Sequence, residues 1–372
     1  MILTQCAVCA TELGLTLGKK CGRCSTRYCG AACQVQHWKE GGHDKLCKKI
    51  KKASGAEQYN ANKKYAEAVA VAAEACAEDT KGQTCYICTQ ALHWKTKEGL
   101  VRGCSCRGTA GFAHVSCLAE QAKILVADAE ERNLDDSQWH RWHVCSLCEQ
   151  EYHGVVNCAF SWACWKTYLG RPETDHFRAC AMTELGNGLA DADHHEDALS
   201  VQEAQLAMYR RLGASEVPML VLQGNLASSY ARLGRLEEAS SLYRDVYSGF
   251  LRIHGEEHQD TVRYANNYAM NLIELRRFAE ARNLLRKIIP VARRVLGDDH
   301  ELTLSLREDL CQAILDGEFA ATEKCEALAM LEDTAGAMRR VFGPNHPDTL
   351  HAEQVLKFNE EKYSKSVGQL RA

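Results

Sequence analysis

The sequence lacks any hydrophobic run long enough to cross a membrane, because no apolar stretch approaches the length of about 18 residues that a spanning helix needs. Its first residues lack the basic segment and continuous apolar core of a signal peptide. No long block of one charge sign occurs beyond the N-terminal region, and the formal net charge is −4. We therefore expect an intracellular protein, cytoplasmic, nuclear or both, without membrane or nucleic-acid partners.

The sequence also lacks the motifs of most enzyme classes. No paired nucleophile and base, no glycine-rich phosphate loop and no redox motif stands out. The 372 residues are 46% hydrophobic and 25% charged, as in ordinary folded chains of two or three domains. We therefore predict binding modules rather than a hydrolytic or redox active site.

Cysteine, in contrast, is abundant. Fourteen of the twenty cysteines fall into two clusters that also contain spaced histidines. Cys-x2-Cys pairs with histidines are typical of metal sites rather than disulfides, which favours a reducing compartment. Six cysteines lie outside the clusters: Cys76, Cys158, Cys164, Cys180, Cys311 and Cys325.

The central cluster contains eight potential zinc ligands. Zinc takes four sulfur or nitrogen donors, and ligands two residues apart can reach one ion from a single turn. If the pairs alternate, as in cross-braced fingers, the cluster forms two sites. One site would contain Cys85, Cys88, His114 and Cys117, and the other Cys104, Cys106, Cys145 and Cys148.

The residues around these ligands resemble the RING-CH class of RING finger. The resemblance rests on Cys104-Ser-Cys106-Arg-Gly-Thr-Ala-Gly-Phe-Ala-His114, on Val-Ser-Cys117-Leu and on Cys145-Ser-Leu-Cys148. It implies a domain that recruits a ubiquitin-conjugating enzyme and promotes ubiquitin transfer. By position, Ile87 would contact that enzyme.

Two departures from the RING-CH pattern keep an alternative to ligase activity open. The family usually has tryptophan where this chain has Gln121, and no proline follows Cys148. Ile87 favours a RING-type ubiquitin ligase, whereas Gln121 favours a non-catalytic scaffold. The sequence therefore leaves enzymatic activity undecided.

The N-terminal cluster has a second series of eight ligands. Tyr28-Cys29-Gly-Ala-Ala-Cys33 and the following Gln34-Val-Gln-His37-Trp38 resemble a MYND zinc finger, a family that usually binds short proline-containing peptides. Alternate pairing gives Cys6, Cys9, Cys29 and Cys33 on one zinc, and Cys21, Cys24, His43 and Cys47 on the other. The four-residue spacings predict that each second pair lies on a helical turn. We expect four structural zinc ions in all.

The first 52 residues are strongly basic. They contain ten Lys and Arg against three acidic residues, a formal charge of +7, with a cluster over Lys48–Lys52. This feature leaves open a transcriptional or chromatin co-regulator that acts through the MYND-like finger.

The C-terminal half repeats itself. Gly213, Gly255, Gly297 and Gly343 recur at intervals of 42, 42 and 46 residues. Small residues in the sequence segments that precede these glycines are typical of a helix-turn-helix solenoid. The repeat period and these sequence segments resemble kinesin-light-chain-type tetratricopeptide repeats. In that family, asparagines placed like Asn225, Asn266 and Asn267 bind the backbone of an extended peptide.

The sequence thus predicts a mainly α-helical chain, with two small cross-braced zinc fingers before an α-α solenoid. We place the MYND-like finger at 1–52, a connecting helix at 53–83 and the RING-CH-like finger with a C-terminal helix at 84–170. About four repeats and a capping helix fill 171–372. The predicted function is an intracellular, zinc-binding adaptor that binds proteins or peptides, and possesses ligase activity if the finger recruits a conjugating enzyme.

Overall fold

The computed structural model describes residues 6–9, 11, 13, 17–134 and 138–370, with side chains described up to residue 363. The chain divides into two compact units, Met1–Ser215 and Glu216–Ala372. Both are mainly helical, as the sequence predicts. In the described part of the chain, no helix is both long and apolar enough to cross a membrane.

The first unit begins with a small finger and continues as a helical assembly. Its strands and helices are β1 Lys19–Lys20, β2 Arg27–Tyr28, α1 Ala31–Lys39, α2 His43–Lys52, α3 Ala56–Ala75, α4 Val115–Glu131, α5 Gly154–Tyr168, α6 His176–Asp191 and α7 His195–Leu212. A short 3-10 helix, Trp139–Trp142, precedes the last ligand pair. The two strands pair antiparallel, with Lys19 opposite Tyr28.

Helix α5 is the centre of the first unit. Ten of its fifteen residues are buried, so the helix is apolar on nearly every side, as expected for a helix enclosed by other elements. A single core extends from Ala61 on α3 to Met208 on α7, and it includes the metal-ligand candidates Cys85, Cys104, Cys117 and Cys145. The central finger therefore shares this core and does not form a separate domain with a core of its own.

The segment between Cys117 and Cys145 of the central cluster contacts α6. Trp139 Nε1 donates to Glu184 Oε1 at 3.0 Å, and His143 Nδ1 lies 3.1 Å from the same oxygen. Trp139 also stacks on Phe177, with ring centroids 5.4 Å apart. The 171–215 hairpin, which the sequence assigns to the repeat region, thus lies in the first compact unit.

The second unit contains three helical hairpins and a final helix. Its helices are α8 Glu216–Arg232, α9 Leu236–His254, α10 Gln259–Glu274, α11 Phe278–Leu296, α12 Glu301–Asp316, α13 Ala321–Val341 and α14 Pro347–Leu370. Residues 317–320 form the loop between α12 and α13. The predicted capping helix corresponds to α14.

The repeated glycines have structural roles, and so do the histidines that stand three residues after Gly255, Gly297 and Gly343. Gly255, Gly297 and Gly343 adopt positive φ values of 80°, 98° and 97° after their helices, which explains why glycine recurs there. His258 Nδ1 accepts from the Asp260 backbone N–H at 3.2 Å, and His300 caps α12 in the same way. The recurrent histidines therefore lie at the starts of helices.

Candidate metal centres

The structure brings together the same four sets of donors that alternate pairing predicts. We number them in chain order. Site 1 contains Cys6, Cys9, Cys29 and Cys33; site 2 contains Cys21, Cys24, His43 and Cys47; site 3 contains Cys85, Cys88, His114 and Cys117; site 4 contains Cys104, Cys106, Cys145 and Cys148. Within each set the donor atoms all lie within 4.8 Å of one another.

The Cys-x2-Cys pair of each central site lies in a tight turn made by backbone hydrogen bonds. The Thr89 N–H donates to the Cys85 carbonyl at 2.8 Å, and the Ile87 N–H points at Cys85 Sγ, 3.4 Å away. The turn at Cys145 repeats this pattern, with the Glu149 N–H on the Cys145 carbonyl at 3.0 Å. N–H groups aimed at a sulfur stabilise its thiolate, which is the form that binds metal.

Some of the other ligands lie on helices or at their starts. His114 precedes α4 and Cys117 lies in its first turn, while His43 and Cys47 are one turn apart on α2. The prediction of two helix-borne pairs in the N-terminal finger holds for His43 and Cys47. Cys29, however, lies two residues before α1 begins, so only Cys33 of that pair is helical.

The distances fit tetrahedral zinc. Bonds of about 2.3 Å to sulfur and 2.0–2.1 Å to nitrogen place two sulfurs about 3.8 Å apart, and a sulfur and a nitrogen about 3.5 Å apart. The Cys106 and Cys145 sulfurs are 3.8 Å apart, and Cys24 Sγ lies 3.4 Å from His43 Nε2. Since a disulfide needs about 2.05 Å, these cysteines are free thiols grouped around a metal-sized space.

Both ligand histidines are prepared for coordination. Burial lowers the pKa of His43 and of His114, which favours the neutral imidazole that a metal requires. His114 Nδ1 lies 3.4 Å from Cys88 Sγ and 3.7 Å from Cys117 Sγ, while its Nε2 lies 3.4 Å from the Ala91 carbonyl. An Nε2–H bond to that carbonyl leaves Nδ1 free for the metal. His37 takes another role, since its Nδ1 pairs with the Tyr28 hydroxyl at 3.0 Å.

The four sites differ in exposure. All four ligands of site 2 are buried, and sites 3 and 4 contain buried or half-buried ligands. In site 1, Cys6 is 4% exposed, but Cys9 and Cys29 are both exposed. Each site has four protein donors, which is the signature of closed structural zinc rather than a catalytic metal with an open position.

The interaction residues predicted from sequence are placed as follows. Ile87 is 36% exposed on the turn between Cys85 and Cys88. Asn225 and Asn267 are half-buried on α8 and α10. Asn266 is only 4% exposed, and its Nδ2 donates to the Ser305 hydroxyl at 3.2 Å, so its amide has little surface to offer a peptide.

Two further residues were not singled out from the sequence. Leu147 is 50% exposed between Cys145 and Cys148, the same place that Ile87 has in its own turn. The Tyr86 hydroxyl donates to Gln121 Oε1 at 3.3 Å and lies 3.2 Å from Ser146 Oγ. The parallel phrases Cys-Tyr-Ile-Cys and Cys-Ser-Leu-Cys carried the signal for Leu147, whereas no local pattern reports the Tyr86 contacts.

Comparison with known proteins agrees with these modules. Family models match a MYND finger at residues 6–47, a RING-variant domain at 85–148 and tetratricopeptide repeats at 218–294 and 326–348. A comparison with curated proteins returns no match. The chain thus combines two zinc fingers with tetratricopeptide repeats, and it is a zinc-binding protein-interaction adaptor.

Solved structures with similarity to the chain include TPR-like repeat proteins. A Podosopora anserina protein with kinesin-light-chain TPR-like repeats is 17% identical, with a TM-score of 0.37, over 61% of this chain and 97% of its own. BtubC from P. vanneervenii is 14% identical, with a TM-score of 0.34, over 67% of this chain and 92% of its own.

Proposed function

We propose that the chain is an adaptor-type ubiquitin ligase of the RING class. In this proposal the RING-variant finger recruits a ubiquitin-conjugating enzyme, and the MYND finger and the repeats recruit the substrate. The chain itself forms no bond with ubiquitin. Its zinc ions would hold the recruiting surface in shape, and the protein would act in the cytoplasm, the nucleus or both.

The observation that carries the proposal is the pair of exposed aliphatic side chains on the two ligand turns. Ile87 is 36% exposed and Leu147 is 50% exposed. Exposed aliphatic residues on turns that zinc fixes are costly to leave in water and are well suited to a partner's apolar surface. Two such residues in equivalent turns form a double anchor.

Tyr86 connects the segments that carry these anchors. Its hydroxyl contacts Ser146 on the second turn and Gln121 on α4. Burial raises the pKa of Tyr86 to about 12, so the hydroxyl keeps its proton and can donate to Gln121. Gln121, which stands where the resembled family has tryptophan, therefore helps in this proposal to position Tyr86, which contacts the second turn.

The repeats would supply substrate recognition through an extended peptide. Asn225 and Asn267 occupy equivalent places on α8 and α10 and are partly accessible. An amide offers a donor and an acceptor together, which matches the alternating groups of an extended backbone. We exclude Asn266 from this contact set because of its burial.

The ligase step is tested with the full-length, zinc-loaded chain and a panel of charged conjugating enzymes. We expect discharge of ubiquitin to lysine to be accelerated by the wild type. Ile87→Ala and Leu147→Ala should each weaken this acceleration about tenfold, since loss of an interface anchor costs about 1–2 kcal/mol. Val71→Ala removes a 52%-exposed aliphatic residue from α3, which carries no zinc ligand, and it should leave the rate unchanged.

The outcome separates the ligase from its alternatives. Wild-type protein that contains zinc but accelerates discharge with none of the enzymes is a non-catalytic scaffold. Nuclear accumulation that is lost when Lys48, Lys49, Lys51 and Lys52 are replaced by serine, together with absent ligase activity, would identify the co-regulator.

The peptide contact needs its own measurement. Binding of an array of extended peptides to the full chain should weaken in Asn225→Ala and in Asn267→Ala. Asn266→Ala should instead lower thermal stability without changing which peptides bind, because the Asn266 amide already donates a hydrogen bond to Ser305. Equal loss of binding in all three variants would contradict this assignment.

A further inference from the structure

Site 1 and site 4 have the same ligand chemistry but different access to solvent. Both contain four cysteines and no histidine. In site 4, Cys104 is 9% exposed, Cys145 is 1% exposed and the other two are half-buried. In site 1, Cys9 and Cys29 are exposed and Cys33 is half-buried. Because the thiolate count is equal, any difference in reactivity must come from exposure and surroundings.

The exposed sulfurs of site 1 also lie close together. Cys9 Sγ is 3.5 Å from Cys29 Sγ and 3.7 Å from Cys33 Sγ. A sulfur oxidised at Cys9 therefore has a second thiolate within reach, which is the arrangement of a reactive cysteine with a resolving partner. We propose that site 1 is an oxidation-sensitive zinc site, in which peroxide links Cys9 to Cys29 and releases one of the four zinc ions.

The chemistry balances with a peroxide as the only oxidant. The Cys9 thiolate attacks one oxygen of hydrogen peroxide, which breaks the O–O bond, gives a sulfenic acid and expels hydroxide. The Cys29 thiolate then attacks the sulfenic sulfur, forms the S–S bond and expels a second hydroxide. Two thiolates lose two electrons in total, and peroxide is reduced to two waters once two protons are taken up. Only Cys6 and Cys33 remain as ligands, so the site no longer holds its ion.

The release should open the first turn without unfolding the rest of the finger. Among the described residues, the backbone bonds of residues 6–9 outside regular elements run from the Cys6 N–H to the Thr11 carbonyl at 2.8 Å and from the Ala7 N–H to the Arg27 carbonyl at 3.4 Å. The finger's own core contains three site 2 ligands, Cys21, Cys24 and Cys47, with Tyr28 and Ile50, which are 0% and 5% exposed, whereas Cys6 is the one site 1 ligand buried in it. Site 2 can therefore keep this core when site 1 is lost.

The test treats the full-length, zinc-loaded chain with increasing hydrogen peroxide. Released zinc is followed with a chromophoric chelator, and disulfides are mapped by mass spectrometry without reduction. We expect the first step to reduce the zinc content from four ions to three, with a Cys9–Cys29 link and restoration by a thiol reductant in the presence of zinc. Sites 2, 3 and 4 serve as internal controls.

Variants exclude the remaining accessible thiols. Cys180 and Cys325 are half-buried and belong to none of the four sites, so Cys180→Ser and Cys325→Ser should leave the first release step unchanged. Cys9→Ser should begin with three zinc ions and release none at the dose that empties site 1 of the wild type. Release at that dose from Cys9→Ser, loss of all four ions together, or first oxidation within site 4 would overturn the proposal.

Discussion

The two units of this chain are stabilised in different ways. In the first unit, four cysteines of the candidate zinc sites lie inside the main hydrophobic core, so the metal sites and the apolar packing share one core. In the second unit, the core around Leu285 and Leu331 consists of apolar side chains from successive helices. One chain thus combines a unit whose main core includes cysteines of the candidate metal sites with a helical unit whose core is built from apolar side chains.

Zinc removal gives the largest expected difference between the units. In small zinc fingers, structural zinc contributes roughly 10–16 kcal/mol of apparent folding free energy. The small apolar core of a finger cannot replace this contribution. After chelation we expect amide hydrogen exchange to rise across residues 6–52 and 85–148, while 216–363 keeps its protection. Exchange measured by mass spectrometry on the full chain checks this. Equal loss of protection in both units would remove the distinction.

A cavity in the second unit should destabilise that unit and leave the zinc sites of the first unit intact. Leu285→Ala, at a fully buried position of α11, should lower the free energy of unfolding by about 2–5 kcal/mol. Val295→Ala on the same helix removes a side chain that is 38% exposed and should cost less than about 0.5 kcal/mol. Denaturant unfolding measures both variants, and zinc content should stay at four ions. Zinc loss in Leu285→Ala would show that the units depend on each other.

We expect a buried carboxyl to make the stability of the second unit depend on pH. Asp309 is 8% exposed, its Oδ2 has no hydrogen-bond partner, and burial raises its pKa well above the ordinary value. The folded state therefore prefers the protonated acid. This carboxyl's contribution to stability is present below its unfolded pKa of about 4, and is lost as pH rises through the folded pKa.

Asp309→Asn removes that titration and keeps the shape. Its melting temperature should exceed that of the wild type at pH 8, and the difference should shrink toward pH 5. Asp299→Asn, at an exposed position in the same unit, supplies the matched control. A variant that melts below the wild type at pH 8 would mean that the charged carboxylate is stabilised in the folded protein.

The smallest effect should come from the surface ion pairs. Arg277 Nε lies 2.8 Å from Glu280 Oε1, but the two side chains are 39% and 57% exposed. Solvent and salt screen such a pair, so Glu280→Gln should change the free energy of unfolding by less than about 0.5 kcal/mol. Thermal melts at low and high salt check this. A larger loss would indicate that surface charge contributes to solenoid stability.

The sequence predicted the parts that follow from local spacing. Ligand pairs such as Cys85 and Cys88 must lie in one turn, and repeat glycines such as Gly255 and Gly297 must adopt positive φ, so both features recur visibly in the chain. The four donor sets follow from ligand order once alternate pairing is assumed. The fold class was predictable for the same reason.

Contacts between distant segments were not predictable. Nothing near Glu184 in the sequence indicates that it accepts hydrogen bonds from Trp139 and His143. The burial of Asn266 likewise depends on Ser305 of a neighbouring helix, although Asn267 beside it is more accessible. Such contacts depend on how helices pack, which periodicity within one helix does not specify.

The most direct test of the central claim is zinc K-edge X-ray absorption on the zinc-saturated, full-length protein. Fourteen cysteines and two histidines shared among four ions give sulfur and nitrogen donors in a ratio of seven to one. We therefore expect four zinc ions per chain, a dominant shell of sulfur at about 2.3 Å and a minor shell of nitrogen near 2.0 Å. Fewer than four ions, or a substantial oxygen shell from bound water, would contradict the four closed sites on which the account rests.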